Sequence, residues 1–368
     1  MNKSLFYRAM LTPSVVWLSV LFGAASGTGR EMVEFITPAG AWGGVVTIAV
    51  IGLIFAVTLF LCFELSRLFN AYDYQRLSMQ LLGKFWPLYE VAILVAMIAS
   101  LAIVSAASGQ ILFGQFEVPV LWGVGGMLAI IIAFTYYGRV FIEKTMALTS
   151  ALLFMAFIYI GVQVAGNDDM AVGETFANSE IHFDDIQKGL IYAFVNMAFI
   201  PLIIYAGRDI RSRGESAIGA ICASIVGTVP LLFLHTIFSP NYHEIRDVEM
   251  PTFWLLERIT ADWFIGVYVV VVFFMFAQTG VGMMQGFLER MDGWYSNYYN
   301  KPMSPLKHSI LSFVMIMLSL LLSTIGFVEL VRSAYSVLFY SFILTFTIPL
   351  ITVGVYKVYK GGGSLRRG

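Results

Sequence analysis

Gly23-Ala24-Ala25-Ser26-Gly27-Thr28-Gly29-Arg30-Glu31 is the stretch on which the fold turns. It sits inside an apolar run, residues 11–36, long enough to cross a bilayer, since a spanning helix needs roughly 20 mostly apolar residues. Three glycines fall within seven residues, 23–29, and each costs a helix about 1 kcal/mol relative to alanine. Arg30 and Glu31 follow at once. Backbone can leave the helix at membrane depth only where protein buries it or where it lines a wet cavity. This helix is therefore expected to unwind beside a binding site. Freed carbonyls would face a cation, and the N-terminus of the next half-helix would face an anion. The competing reading is a close-packing stripe of small residues, which needs no adjacent Arg-Glu pair.

A second interruption answers the first. Asn196-Met197-Ala198-Phe199-Ile200-Pro201 places an amide and a proline midway along the apolar run 186–206. Proline removes a backbone bond and strains the turn before it; a helix that is only kinked is the alternative. Between and beyond these two runs lie eight more, at 42–69, 85–113, 118–137, 140–165, 216–238, 263–291, 306–327 and 328–359. Ten spans divide five and five, with an offset of about 175 residues between the halves. An odd number per half makes the second enter from the opposite side, as in an inverted-topology repeat. The expected architecture is an all-α membrane protein of ten transmembrane helices, broken in helices 1 and 6. Residues 1–165 and 186–360 form its two repeats, 166–185 an acidic outer loop, and 361–368 a flexible tail.

Composition supports this. Hydrophobic residues make up 59% and charged residues 12%, half the charged share usual in soluble domains. A net charge of -1 leaves no electrostatic footprint for nucleic acid. Cys62 and Cys222 imply neither a disulfide framework nor metal-ligand spacing. Lys3 and Arg8 before an apolar run ending in Gly23-Ala24-Ala25 have the cast of a secretory leader, yet the later spans would still hold the chain in a membrane. Of the 22 lysines and arginines, all but Arg30, Lys188, Arg246, Arg258 and Arg332 fall on one side of the ten-span arrangement. Asp168, Asp169, Glu174, Glu180, Asp184 and Asp185, then Glu244, Asp247, Glu249 and Glu257, load the other. The positive-inside rule then places both termini in the cytoplasm, and a bacterial inner membrane is the expected location.

The run 23–31, continued by Met32-Val33-Glu34-Phe35 and Gly40-Ala41-Trp42-Gly43-Gly44, resembles the first helix of the bacterial YkvI-like membrane proteins. Phe63-Glu64-Leu65-Ser66-Arg67 and Tyr72-Asp73-Tyr74 carry the same likeness. Those proteins are permeases of the amino acid–polyamine–organocation group, so the resemblance implies a LeuT-type fold and a transport function. A more distant similarity is to sodium-coupled amino acid transporters of the LeuT type, through Gly27-Thr28-Gly29 and through Ala277-Gln278-Thr279-Gly280, Met284-Gln285 and Phe287-Leu288-Glu289. It implies a sodium site formed by carbonyls near Gly23 and Ser26 with Ala277 and the Thr279 hydroxyl. Gly280 stands where a second hydroxyl would help.

Ionisable groups inside spans are costly and often functional. Arg30 is expected to hold a solute carboxylate or to pair with an acid, and Glu31 to carry a coupling proton or neutralise Arg30. A structural Arg–Glu pair is the plain alternative. Solute-contacting candidates are Ala25, Ser26, Gly27, Thr28, Gly29, Arg30, Ser105, Phe194, Asn196, Met197 and Phe199. Glu90 and Glu143 are expected to snorkel to the inner surface or to pair there with Arg67, Arg139 or Arg213, and Arg332 with Glu329 to form an outer gate. His235, His308, Tyr335 and Tyr340 read first as structural or interfacial. No catalytic motif occurs, so an enzyme is not expected. The sequence points to a symporter of a small organic solute, an amino acid or related zwitterion, driven by sodium or protons. A ligand-sensing receptor subunit and a passive channel are its rivals.

Overall fold

A computed structural model describes residues 4–22, 26–137, 139–167, 171–301 and 303–364. Among these residues every regular element is helical: α1 (Thr12–Leu21), α2 (Arg30–Phe35), α3 (Ala41–Phe69), α4 (Tyr74–Leu82), α5 (Trp86–Phe116), α6 (Val120–Tyr137), α7 (Arg139–Ala165), α8 (Val172–Ala177), α9 (Phe183–Met197), α10 (Ile200–Ile203), α11 (Arg213–Phe238), α12 (Tyr242–Ile245), α13 (Pro251–Ile259), α14 (Asp262–Tyr299), α15 (Pro305–Ser323), α16 (Phe327–Phe342) and α17 (Val355–Ser364). Among the described residues seven stretches are long and apolar enough to cross a bilayer; two shorter apolar helices, Val120–Thr135 and Ala151–Val164, stand beside them. The first expected span is instead the pair α1 and α2, each too short to cross alone.

Local chemistry places the ends. Asp73 caps α4, accepting from the Arg76 amide at 2.8 Å. Ser212 caps α11, accepting from the Glu215 amide at 3.2 Å, in the Ser-x-x-Glu pattern of a capping box. The last expected span is less regular than foreseen: π-helical turns at Ile343–Thr347 and Leu350–Gly354 flank Pro349, whose missing N–H disturbs the ladder.

The largest helix–helix seam is α3 against α11, and α5 packs on α6, α14, α15 and α16. Small residues set the seam's closeness. A Cβ on Gly44 would collide with the His235 ring, and Ser224 Oγ donates to the Gly52 carbonyl at 2.6 Å. Each end of the seam carries a polar contact. Ser216 Oγ donates to Glu64 at 3.0 Å, and His235 Nε2 lies 2.8 Å from the Ala41 carbonyl. Glu64 and His235 are 171 residues apart, and Ala41 and Ser216 are 175 apart, so the two contacts share the offset of the two halves. The outer surface is apolar, with Leu53 and Leu344 about two-thirds exposed, as lipid-facing side chains are in a bilayer protein.

The bundle has two distinct ends. At the loop end, Trp42 Nε1 donates to the Phe176 carbonyl at 2.9 Å, and α13 lies against α2. At the terminal end, Arg8 pairs with Glu215 at 2.6 Å, and Lys357 Nζ donates to the Gln80 carbonyl at 2.7 Å. The α1 half of the first broken helix packs against α10 and the 3-10 turn Ile204–Gly207, and α2 packs against α9. The two breaks therefore lie side by side.

Candidate functional site

In the first broken helix, α1 stops at Leu21, a 3-10 turn covers Ser26–Thr28, and Gly29 turns left-handed at φ +79°. Only glycine fits there. A Cβ would stand 2.6 Å from the Phe238 ring and 2.7 Å from Thr252 Oγ1, and φ is in the region that L side chains avoid. The Gly27 carbonyl is taken by the Tyr268 hydroxyl at 2.7 Å. In the other broken helix, α9 stops at Met197, Ala198 and Phe199 turn, and α10 restarts with Pro201 in its first turn. The Ala198 carbonyl is taken by the Tyr89 hydroxyl at 2.8 Å. Tyr89 and Tyr268 are both fully buried.

A hydrogen-bonded chain links the breaks at the loop side. Tyr335 Oη donates to Glu31 at 2.5 Å. Asn196 Nδ2 donates to the Tyr192 carbonyl at 2.9 Å and reaches toward Tyr335 Oη at 3.5 Å. The Tyr335 ring is stacked on Phe35 at 4.8 Å and lies parallel to Tyr192 at 6.3 Å. Glu31, Asn196 and Tyr335 are all buried. A carboxylate, a phenol and an amide thus sit together where helical backbone is interrupted, a place able to hold a polar solute or a proton.

Arg30 does something different. It donates to the Arg246 and Val248 carbonyls at 2.7 and 3.0 Å and pairs with Glu34 at 2.5 Å. Glu34 in turn takes Arg332 at 2.9 and 3.2 Å, with Arg332 3.6 Å from Glu329. Of the two roles expected for Arg30, the structure shows the pairing with an acid: its guanidinium is the buried core of a contact joining α2, the segment between α12 and α13, and α16. The outer contact foreseen between Arg332 and Glu329 is present, but Glu34 is its closer partner. Burial pushes the neighbouring Glu249 carboxyl up, with Arg30 pulling it the other way.

The other candidates scatter. Gly23 and Ala25 lie outside the described residues, as do the side chains of Ser26 and Glu143. Gly27 and Thr28 are buried at the break. Ser105 Oγ donates to the Leu101 carbonyl at 2.8 Å within its own helix. Met197 Sδ accepts from Thr58 Oγ1 at 3.4 Å, and Phe199 meets Phe342 edge-on at 6.0 Å. Phe194 packs on Phe339 at 5.9 Å, partly exposed. Val272 stands beside Gly27, where an added Cβ would lie 3.5 Å from it. Ala277 and Thr279 follow it by five and seven residues on α14, about 7.5 and 10.5 Å farther toward the terminal end at 1.5 Å per residue.

One expectation is corrected outright. Glu90 pairs with Arg290 at 3.3 Å and accepts from Tyr74 Oη at 3.1 Å, rather than with Arg67 or Arg213; the Arg139 side chain lies outside the described residues. Arg67 is engaged by Glu64 at 2.7 Å, and Arg213 lies 5.7 Å from the Phe60 ring. Arg290 lies over the Tyr74 ring at 3.8 Å, held there by the length of α14.

Tyr89, Tyr268 and Glu34 escaped the reading as site residues. A signal existed: Tyr89 and Tyr268 are 179 residues apart, and Gly27 and Ala198 are 171 apart, both close to the offset of the halves. A search for hydroxyls at matched offsets would have found them.

No protein-family model and no curated protein sequence matches the chain. Solved structures do. A manganese transporter of Eremococcus coleocola, in complex with an aromatic bis-isothiourea substituted compound, superposes with a TM-score of 0.55 at 10% identity, over 96% of this chain and 80% of that one. Mhp1, a nucleobase-cation-symport-1 family transporter, in a closed conformation with bromovinylhydantoin bound, gives 0.50 at 15% identity, over 96% and 75%. At such identities the likeness concerns architecture, and the fold is LeuT-type, broken between α1 and α2 and between α9 and α10. Among the described residues no group of three or more His, Cys, Asp or Glu is placed to hold a metal ion.

Proposed function

We propose that this chain is a secondary transporter that carries a small organic solute, an amino acid or related zwitterion, by alternating access. The observation that carries the reading is the meeting of two broken helices, with Glu31, Tyr335 and Asn196 bridging them. Glu31 suits the amine end of a zwitterion, and the rings of Phe35, Tyr192 and Tyr335 around it suit a cation as well. Arg30 belongs to the gate. With Glu34 and Arg332 it closes the loop end in this conformation. The donor set among the described residues favours an organic solute over a transition-metal ion, which wants clustered imidazole, thiolate or carboxylate ligands.

Basic residues at the terminal end support a cytoplasmic assignment for that end, and the motifs of residues 23–74 support membership of the YkvI-like permeases. The energy source is a sodium or proton gradient. Sodium would sit between carbonyls near Gly23 and Ser26 and the Ala277–Thr279 turn of α14; a proton would ride on Glu31.

Uptake by proteoliposomes tests the function. Solutes are first screened by thermal shift, since binding stabilises the folded state by mass action. A transporter accumulates the hit above its outside concentration when a sodium or proton gradient is imposed. Binding without flux would make the chain a receptor, and flux that only equilibrates would make it a channel.

A further inference from the structure

The two buried tyrosines at the breaks do matched work. A carbonyl at a helix break has lost its partner four residues on, and leaving it bare in a buried site is costly. Tyr268 satisfies Gly27 and Tyr89 satisfies Ala198, at 2.7 and 2.8 Å. The donors come from opposite ends. Tyr268 lies six residues into α14, next to α13 and the loop end, where its ring meets Phe253 at 5.4 Å. Tyr89 lies three residues into α5, just after α4 and the terminal end. Each joins a long unbroken helix to a broken one.

We propose that Tyr89 and Tyr268 are paired positioning residues, each latching one broken helix to an unbroken one, and that they release at opposite ends of the transport cycle. Tyr268 holds the α1–α2 break shut toward the loop end, and Tyr89 holds the α9–α10 break shut toward the terminal end. The inference rests on the alternating-access reading. Opening toward the loop end requires the Tyr268 bond to lengthen while the Tyr89 bond persists; opening toward the terminal end requires the reverse. Both bonds are made here, as a conformation closed at both breaks requires.

The test is amide hydrogen exchange by mass spectrometry on the full chain in lipid nanodiscs, comparing wild type with Tyr268→Phe, Tyr89→Phe and the double variant. Phenylalanine keeps the ring and removes only the hydroxyl. The quantity read is the ratio of exchange in the loop half (α2 and α16) to exchange in the terminal half (α1 and residues 200–207). Tyr268→Phe raises this ratio about fivefold and Tyr89→Phe lowers it about fivefold, the change that one hydrogen bond of about 1 kcal/mol produces. The double variant returns it to within twofold of wild type; where one single variant folds poorly the other decides, because its ratio must still move about fivefold in its own direction. The rise in Tyr268→Phe extends to α16, which belongs to the gate rather than to the latch, whereas a purely local loosening stays at Gly27 and α13. Both single variants moving the ratio the same way, or by less than twofold, overturns the latches. If wild type opens all four segments together only in global unfolding, alternating access fails and the latches fall with it.

Discussion

Glu34→Gln separates the two unequal halves of the Arg30–Glu34–Arg332 contact, proposed as a gate. Glu34 bridges Arg30, whose side chain is 3% exposed, and Arg332, whose side chain is 53% exposed; Glu34 itself is 16% exposed. Removing one partner of a fully buried ion pair costs about 3–5 kcal/mol, because a charge is left uncompensated. Arg30 keeps two carbonyl acceptors and Glu34 is not fully buried, so about 2–3 kcal/mol is the reasonable figure here. Arg332→Ala breaks only the exposed half, where solvent screens the pair to about 1 kcal/mol or less. An unfolding entropy of roughly 2.1 cal/mol/K per residue, taken over the chain, gives about 0.8 kcal/mol per degree. The melting point should drop by about 3 °C for Glu34→Gln and by about 1 °C or less for Arg332→Ala. Thermal unfolding in detergent at low and high salt is the assay. The Arg332→Ala loss should shrink as salt shortens the Debye length toward about 3 Å at 1 M, and most of the Glu34→Gln loss should survive. Equal losses in the two variants, or a Glu34→Gln loss that salt abolishes, would refute the assignment of Arg30–Glu34 as the buried core of that contact.

Gly29→Ala should cost folded yield heavily, because its Cβ meets Phe238 and Thr252 at φ +79°. Gly83→Ala, at φ +56° with nothing within 4 Å, should cost only about 1–2 kcal/mol of left-handed strain; monodisperse yield and melting point compare them. Tyr335→Phe removes a hydrogen bond to a carboxylate worth about 1.5–3 kcal/mol and should weaken the solute found in the screen by about tenfold or more. An unchanged affinity would remove Tyr335 and Glu31 from the site. Sodium chloride at about 100 times its dissociation constant should stabilise the chain by about 2.7 kcal/mol over choline chloride, and Thr279→Ala should erase the difference. Equal melting in the two salts would leave the proton as the coupling ion.

The breaks were legible because their causes are local. Glycine and proline weaken the turn in which they stand, whatever packs around them, so 23–31 and 196–201 announce themselves in a single chain. The partners of the breaks were not legible. Tyr89 and Tyr268 reach carbonyls 109 and 241 residues away, and a tyrosine near the end of an apolar run reads as an interfacial anchor until the helices are assembled. Glu34 stood in plain view within a quoted motif, but its value depends on α16 arriving beside it. Glu90 reads as snorkelling or as paired with Arg67, Arg139 or Arg213, whereas its partner sits on α14, whose 38 residues carry Arg290 back over Tyr74. Arg30 looked like a hand for the solute because a charge inside a span is costly. The cost is real, and carbonyls from the segment before α13 together with Glu34 offset it.

The central claim is that the two interrupted helices form the place where solute binds. Electron cryomicroscopy of the full chain with the solute identified by the screen tests it most directly. Solute density is expected in contact with the backbone of residues 27–30 and with residues 196–199, beside Glu31 and Tyr335. Density elsewhere, or continuous helix through both segments, would contradict it.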